Sequence, residues 1–358
     1  HVTLDSFLRF PVVISAFRDW VLLALKALTL TSGLRKAKGP EAYLWPLFAC
    51  DWWASFLGPI AIRNSLNLNL FKEAMRTLPR QRLGLYLQEN QGWEMALIQA
   101  WRSAGHGKLI GVPHTAVRFW DLRYFYDPRA FHREEKNAMP MPDAVALNGP
   151  AATNAFRSGL YPEEQIVQVE ALRYLHLTDA HFRTPLPISS DHPLHLLVLG
   201  DYLDSNTKTQ MRFLEEAVHS LPHDLAIIFK PHPASSMNAE DYPDLQIRIV
   251  DKPIQQLLNK CDVAYTSSVT AAAVDFYLAG VPVVTVLDPT QLNKSPLRGQ
   301  KGVNFVSSSS ELVQALALIK KCRPQAAAKA DFFTLDKDLP RWQKLLSNSE
   351  FNANHHKI

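Results

Sequence analysis

Cysteine is scarce. Cys50, Cys261 and Cys322 are the only three in 358 residues, and they form no CxxC pair and join no His/Cys cluster at zinc spacing. A disulfide framework and a structural zinc site are therefore excluded, and the thiols read as inert groups in a reducing compartment. Long uncharged apolar runs are also missing. The most apolar stretch, residues 11–30, is interrupted by Arg18, Asp19 and Lys26, so it fails the roughly 18-residue requirement for a spanning helix. No small-residue cleavage site follows it, which argues against a signal peptide. It reads either as an amphipathic helix packed on its domain or as one lying on a membrane surface. There is no dense Lys/Arg stripe with interleaved aromatics, and the net charge of +4 is too small to argue for nucleic acid. That charge does suit an anionic substrate or an acidic membrane surface. The chain does not begin with Met, so a tag remnant or a missing upstream segment stays open.

What is present is an ordinary globular balance, 47% hydrophobic and 20% charged residues, in a length that fits two domains. Residues 1–80 read mainly as helices rich in Trp, Leu and Phe. Strands are expected at 83–88, 108–114, 143–149 and 165–171, with helices at 92–105 and 150–160 between them. Residues 175–193 lack periodicity and read as a linker. A second series follows: strands at 194–200, 224–230, 245–250, 262–268 and 281–287, with helices at 207–221 and 269–280. Strand–helix alternation predicts parallel sheets with crossover helices. The expected fold is α/β, with two doubly wound Rossmann-like domains facing each other across a cleft. The expected domains are residues 1–180, including a helical N-terminal extension; residues 190–335; and a C-terminal helix and tail at 336–358. Ligands of such units sit at the carboxyl ends of the strands.

Three segments carry candidate chemistry. In 262–284 a buried strand ends at Thr266-Ser267-Ser268 and runs into Val269-Thr270. Hydroxyls and backbone N–H groups before a helix form an anion site, although an ordinary N-cap explains the same residues. Asp275 follows one to two turns on, placed to reach a ribose hydroxyl, before Leu278-Ala279-Gly280-Val281-Pro282. The second segment is Phe229-Lys230-Pro231-His232-Pro233, where a Pro-flanked His and a Lys suit the negative charge of a leaving phosphate. The third, Tyr86 to Glu94, places Glu89 at a strand's carboxyl end as a candidate base or nucleophile. Glu94 also fits a dipole-stabilising carboxylate at a helix start. His114, Arg118 and Arg123 are candidates for a sugar carboxylate or an acceptor, since Arg binds carboxylates bidentately. Asp201, after the first strand of the second series, is a candidate nucleophile or an Asx-turn residue.

The 262–284 segment resembles the nucleotide-sugar element of GT-B glycosyltransferases, with Asp275 where most of them carry Glu. The His-Pro element followed by Ser-Ser is similar to bacterial transferases of sialic acid and Kdo that use CMP-activated sugars. That likeness implies phosphate contacts from His232, Ser267 and Ser268. Together with DWWASFLG (51–58), LYLQENQGWE (85–94) and VRFWDLRYF (117–125), these motifs resemble bacterial surface-carbohydrate (O-antigen or capsule) biosynthesis proteins.

The implied function is a Leloir-type glycosyltransferase moving an ulosonic sugar (Kdo or a nonulosonic acid) from a CMP-sugar onto a surface-polysaccharide acceptor. No cofactor is implied beyond the CMP-sugar donor substrate. Its catalytic candidates are Glu89, Asp201 and His232. Lys230, His232, Ser267, Ser268, Thr270 and Asp275 would bind nucleotide, and Glu94, His114, Arg118 and Arg123 sugar or acceptor. No paired acidic motif suited to Mg²⁺ stands at a strand end, so metal independence is expected. The partners are a nucleotide-sugar donor and a glycan or lipid-linked glycan acceptor, without nucleic acid. The expected location is the cytoplasm, with peripheral contact at the inner face of the bacterial inner membrane as its variant. A UDP- or GDP-hexose or CDP-glycerol donor is the alternative, and a non-catalytic nucleotide-sugar-binding scaffold is a third reading.

Overall fold

Apolar residues three and four apart wind the first eighty residues into α1 (Phe10–Lys36), α2 (Pro40–Phe56) and α3 (Pro59–Thr77). In α3 the proline stands at the helix start, where its missing N–H costs nothing. The computed structural model describes residues 1–36, 40–121, 124–127, 131, 139–178, 193–221, 225–234, 238–321 and 331–347. The chain divides into two units. One comprises His1–Pro113, Tyr126–Ala146 and Pro162–Ile166, and the other His114–Phe125, Leu147–Tyr161 and Val167–Ile358.

After the three helices come β1 (Leu83–Leu87), α4 (Gly92–Ser103), β2 (Lys108–Val112), β3 (Ala144–Leu147), α5 (Pro150–Ser158) and β4 (Ile166–Gln168). The sheet runs in chain order, β1-β2-β3-β4, with no reversal of winding. Its first pairs are parallel, Leu83↔Lys108 through Leu87↔Val112 and Ile110↔Ala144. In the first unit Tyr86, Ile98, Trp101 and Leu109 close on Ala74 and Met75 of α3.

The second sheet is built from β5 (Leu194–Leu199), β6 (Leu225–Lys230), β7 (Ile247–Ile249), β8 (Val263–Ser267), β9 (Val283–Val286) and β10 (Val303–Val306). Interleaved with them are α6 (Asp204–Ala217), α7 (Ile254–Leu257) and α8 (Ala272–Leu278), followed by α9 (Ser309–Lys321) and α10 (Pro340–Ser347). The order is β10-β9-β8-β5-β6-β7, and neighbouring strands pair parallel. Alternate residues of β5 feed opposite cores. Leu197 and Leu199 pack with Phe276 and Leu278, while Leu196 and Val198 pack with Met211 and Leu214. Both faces of the sheet are thus buried, which explains the near-continuous Leu and Val of its central strands.

Both parallel α/β series read from the sequence are present; the reversal of winding belongs to the second sheet. Three elements there, α7, β10 and α9, were not anticipated. The helix expected at 269–280 is shorter and begins only at Ala272. Of the aperiodic segment 175–193, residues 179–192 lie outside the described residues, and Leu172–Thr178 forms a 3-10 turn.

Candidate functional site

In the second unit the chain leaves β5 in one direction for β6 and β7, then returns to β5's other side for β8, β9 and β10. The winding therefore reverses between β5 and β8. Crossover connections diverge at such a point and leave a crevice beyond the strands' carboxyl ends. Asp201 lies just past β5, Ser267 ends β8, and Lys230 ends β6 on β5's far side.

These ends are tied together by side chains. Asp201 is buried, at 2% exposure. Its Oδ2 accepts hydrogen bonds from Ser267 Oγ and, at 3.5 Å, from Thr270 Oγ1. Its Oδ1 accepts from Leu203 N at 2.9 Å, and its own N–H donates to Thr207 Oγ1 at 2.9 Å. Ser267 Oγ and Thr270 Oγ1 are themselves 2.8 Å apart. The hydroxyl proton of Ser267 is thus directed at a carboxyl of its own protein. Ser268, next along and half-buried, directs no hydroxyl bond of this kind among the described residues. Because Thr270 bonds back to the strand end, it does not cap α8. Ala271 holds the N-cap position with no side-chain hydrogen bond, which is why the helix starts late.

His232 follows β6 directly. Its Nδ1 accepts a hydrogen bond from Ala234 N at 3.2 Å, which assigns the ring proton of the neutral form to Nε2. Tyr202 meets the imidazole edge to face, centroids 6.3 Å apart. Gly200 lets the two strand ends approach closely: a Cβ would lie 3.1 Å from His232 N and 3.2 Å from Phe229 Cζ, a tight fit that asks the neighbours to shift. Lys230 Nζ stands 3.9 Å from the fully exposed Asp251, a pairing that water screens.

Asp275 on α8 is buried at 8% exposure, and His176 Nε2 stands 2.9 Å from its Oδ1. Nearby Tyr174 donates no part of this pair. Its oxygen accepts from Ala116 N, and burial, then the charge of Asp275, pushes its phenol up to about 12. Sequence reasoning missed His176, which sits in a segment without periodicity. It also missed Gln210 of α6. This fully buried amide donates to Leu199 O of β5 at 3.3 Å and Tyr265 O of β8 at 3.4 Å, across the winding reversal.

In the first unit Glu94 is fully buried at the start of α4. Its Oε1 accepts from Glu89 N and Gln91 N, both at 2.8 Å. Burial pushes its carboxyl above the usual range, against the pull of the N–H groups of Gln91, Glu89 and Asn90. Glu89 is half-buried just beyond β1. In the segment His114–Phe125, which belongs to the second unit, Arg118 pairs with Asp121 at 3.6 Å and His114 is half-buried. Arg123 lies outside the described residues. Among the described residues, no three His, Cys, Asp or Glu side chains gather as a metal site would need.

No protein-family model and no curated protein matches the chain. Several solved structures are similar to it. One is a UDP-GlcNAc 2-epimerase of Methanocaldococcus jannaschii, in complex with UDP-GlcNAc and UDP. It is 13% identical, covers 75% of this chain and 78% of its own, and has a TM-score of 0.46. Acinetobacter baumannii MurG is 15% identical over 74% of this chain and 71% of its own, TM-score 0.45. Sucrose-phosphate synthase of Thermosynechococcus elongatus is 15% identical over 71% and 68%, TM-score 0.41. At these identities the donor and the reaction have to be read from this protein's own residues.

Proposed function

We propose that the protein is a glycosyltransferase whose second unit holds the phosphate of a nucleotide-activated sugar at the carboxyl ends of β5, β6 and β8. The observation that carries this reading is the Asp201–Ser267–Thr270 strut at the winding reversal, with His232 on the adjacent strand end. In this reading Asp201, Ser267 and Thr270 are positioning residues that fix the turn after β8. Ser268 and the Nε2–H of His232 contact the phosphate, and Lys230 swings from its weak partner to add charge. As the glycosidic bond breaks, negative charge grows on the leaving phosphate. Donors already fixed in place stabilise that charge without reorganisation. Metal is not required in this scheme, because the imidazole and ammonium supply the positive charge.

In the first unit Glu94 is spent on holding the loop that carries Glu89, so Glu89 is the proposed base or nucleophile toward the acceptor hydroxyl. His114, Arg118 and Arg123 remain proposed acceptor-side contacts. Asp275 is the proposed ribose contact, oriented by His176.

The likeness of the His-Pro and Ser-Ser elements to CMP-sugar transferases supports a CMP-ulosonic donor. UDP- and GDP-hexoses are the competing donors, and UDP and UDP-GlcNAc are the ligands of the similar epimerase structure. Calorimetric titration with CMP, UDP and GDP separates them: a clear preference for UDP or GDP removes the ulosonic proposal. If none of the three binds, the glycosyltransferase reading falls. Mass spectrometry of the intact protein with the preferred donor then detects or excludes a covalent sugar adduct, which distinguishes retention from inversion.

A further inference from the structure

The longest helix presents two apolar faces, and only one is used inside its own unit. Val12, Ala16, Ala27 and Thr31 are buried. On another face Phe10, Val13, Ile14, Phe17, Leu25 and Leu28 are exposed, Phe10 at 77%, Phe17 at 62% and both leucines at 57%. At about 100° per residue these six fall within an arc of about 120°. Soluble surfaces scatter apolar side chains singly; a continuous stripe along a 27-residue helix marks a docking face.

Charge selects the occupant. On the flank beside the stripe, away from the buried face, stands the exposed Arg18, which also bonds its neighbour Asp19 at 3.0 Å, whereas the exposed Lys26 lies farther round the helix, next to Val12 of the buried face. Residues 1–82 hold eleven Lys and Arg against five Asp and Glu, a net charge of +6, whereas the other 276 residues hold 27 against 29, a net charge of −2. A second copy of this face would oppose like charges. An anionic bilayer complements both features, because the apolar face sinks to the acyl boundary while cationic heads reach the lipid phosphates. Among the described residues no helix is long and apolar enough to cross a membrane, so the contact lies in the plane of the surface.

We propose that the outer face of α1 docks the protein on a bilayer rich in anionic lipid, independently of the nucleotide site. The test is co-sedimentation of the full chain with vesicles of phosphatidylglycerol and phosphatidylcholine, or of phosphatidylcholine alone. The wild type is expected to pellet with the anionic vesicles and at least about tenfold more weakly with the neutral ones. The triple variant Phe10→Ser/Phe17→Ser/Leu25→Ser should lose at least about tenfold in binding while keeping its melting temperature and its nucleotide titration. Arg18→Ala, which leaves the stripe intact, should lose about fivefold on anionic vesicles alone. The proposal is overturned if the wild type stays in the supernatant with anionic vesicles. Equal pelleting of the triple variant and the wild type overturns it too. So does a lipid-free dimer, seen by light scattering, that the triple variant converts to monomer, for the face then belongs to a second copy.

Discussion

Asp201→Ala removes the acceptor that holds the end of β8 to the end of β5. Three hydrogen bonds reach that carboxyl, from Ser267 Oγ, Thr270 Oγ1 and Leu203 N. Ser267 is only 4% exposed, so water does not replace its lost partner and its hydroxyl turns to Thr270 Oγ1, 2.8 Å away, while Leu203 is exposed and its N–H can turn to solvent. At about 1 kcal/mol for each of the Ser267 and Leu203 bonds, with the 3.5 Å Thr270 contact adding little, the loss is about 2 kcal/mol. For a unit of roughly two hundred residues this lowers the melting temperature by about 4–8 °C. Asp201→Asn keeps an acceptor for Leu203 and lets the Ser267 hydroxyl reverse and accept from the new amide, so its cost is about 1 kcal/mol. Differential scanning calorimetry of the three proteins reads these values, and titration with the preferred nucleotide reads the consequence, a loss of about tenfold for Asp201→Ala. If Asp201→Ala melts within about 1 °C of the wild type and binds nucleotide equally, the strut does not organise the site.

Glu94 gives a pH signature. Its folded carboxyl lies above the unfolded value, so its contribution is complete below about pH 4.5 and is lost as pH rises through the folded value. Glu94→Gln mimics the protonated acid throughout. Its melting temperature should therefore rise relative to wild type as pH climbs above about 4.5, and parallel curves would show that burial does not perturb this group. Gly149 has φ of 156°, and a Cβ there would collide with the carbonyl of Phe332. Gly149→Ala should cost about 3 kcal/mol in a urea titration, and a change under about 0.5 kcal/mol would contradict the close approach. Gly200→Ala should displace the backbone of His232 and weaken nucleotide binding about tenfold by calorimetry, with wild-type affinity as the contrary result. Sugar transfer should persist in EDTA; activity abolished by the chelator and restored by Mg²⁺ would require a metal that this scheme lacks.

The strands were readable because a central parallel strand must be apolar on both faces. LHLLVL, LAIIFK and VAYTS each appear within a residue or so of the expected limits. The edge strand β10, VNFV, has one buried residue in four, too weak a pattern to separate from a turn. The late start of α8 was hidden because Thr270 is an ordinary N-cap residue in sequence, whereas its hydroxyl meets Ser267 Oγ at 2.8 Å, which is held in turn by Asp201, 66 residues earlier. His176 and Gln210 were invisible for the same reason, since their partners Asp275 and Tyr265 lie 99 and 55 residues distant. Glu94 was legible as a helix-start carboxylate, but its complete burial depends on the packing of α3 and α4, which no local pattern records.

The most direct measurement is a crystal structure of the protein grown with the nucleotide it binds best. The account predicts the phosphate beyond the carboxyl ends of β5, β6 and β8, with His232 Nε2 and the Ser268 hydroxyl within hydrogen-bond reach and Ser267 still bonded to Asp201. A nucleotide bound elsewhere on the chain, with that crevice holding only solvent, would contradict it.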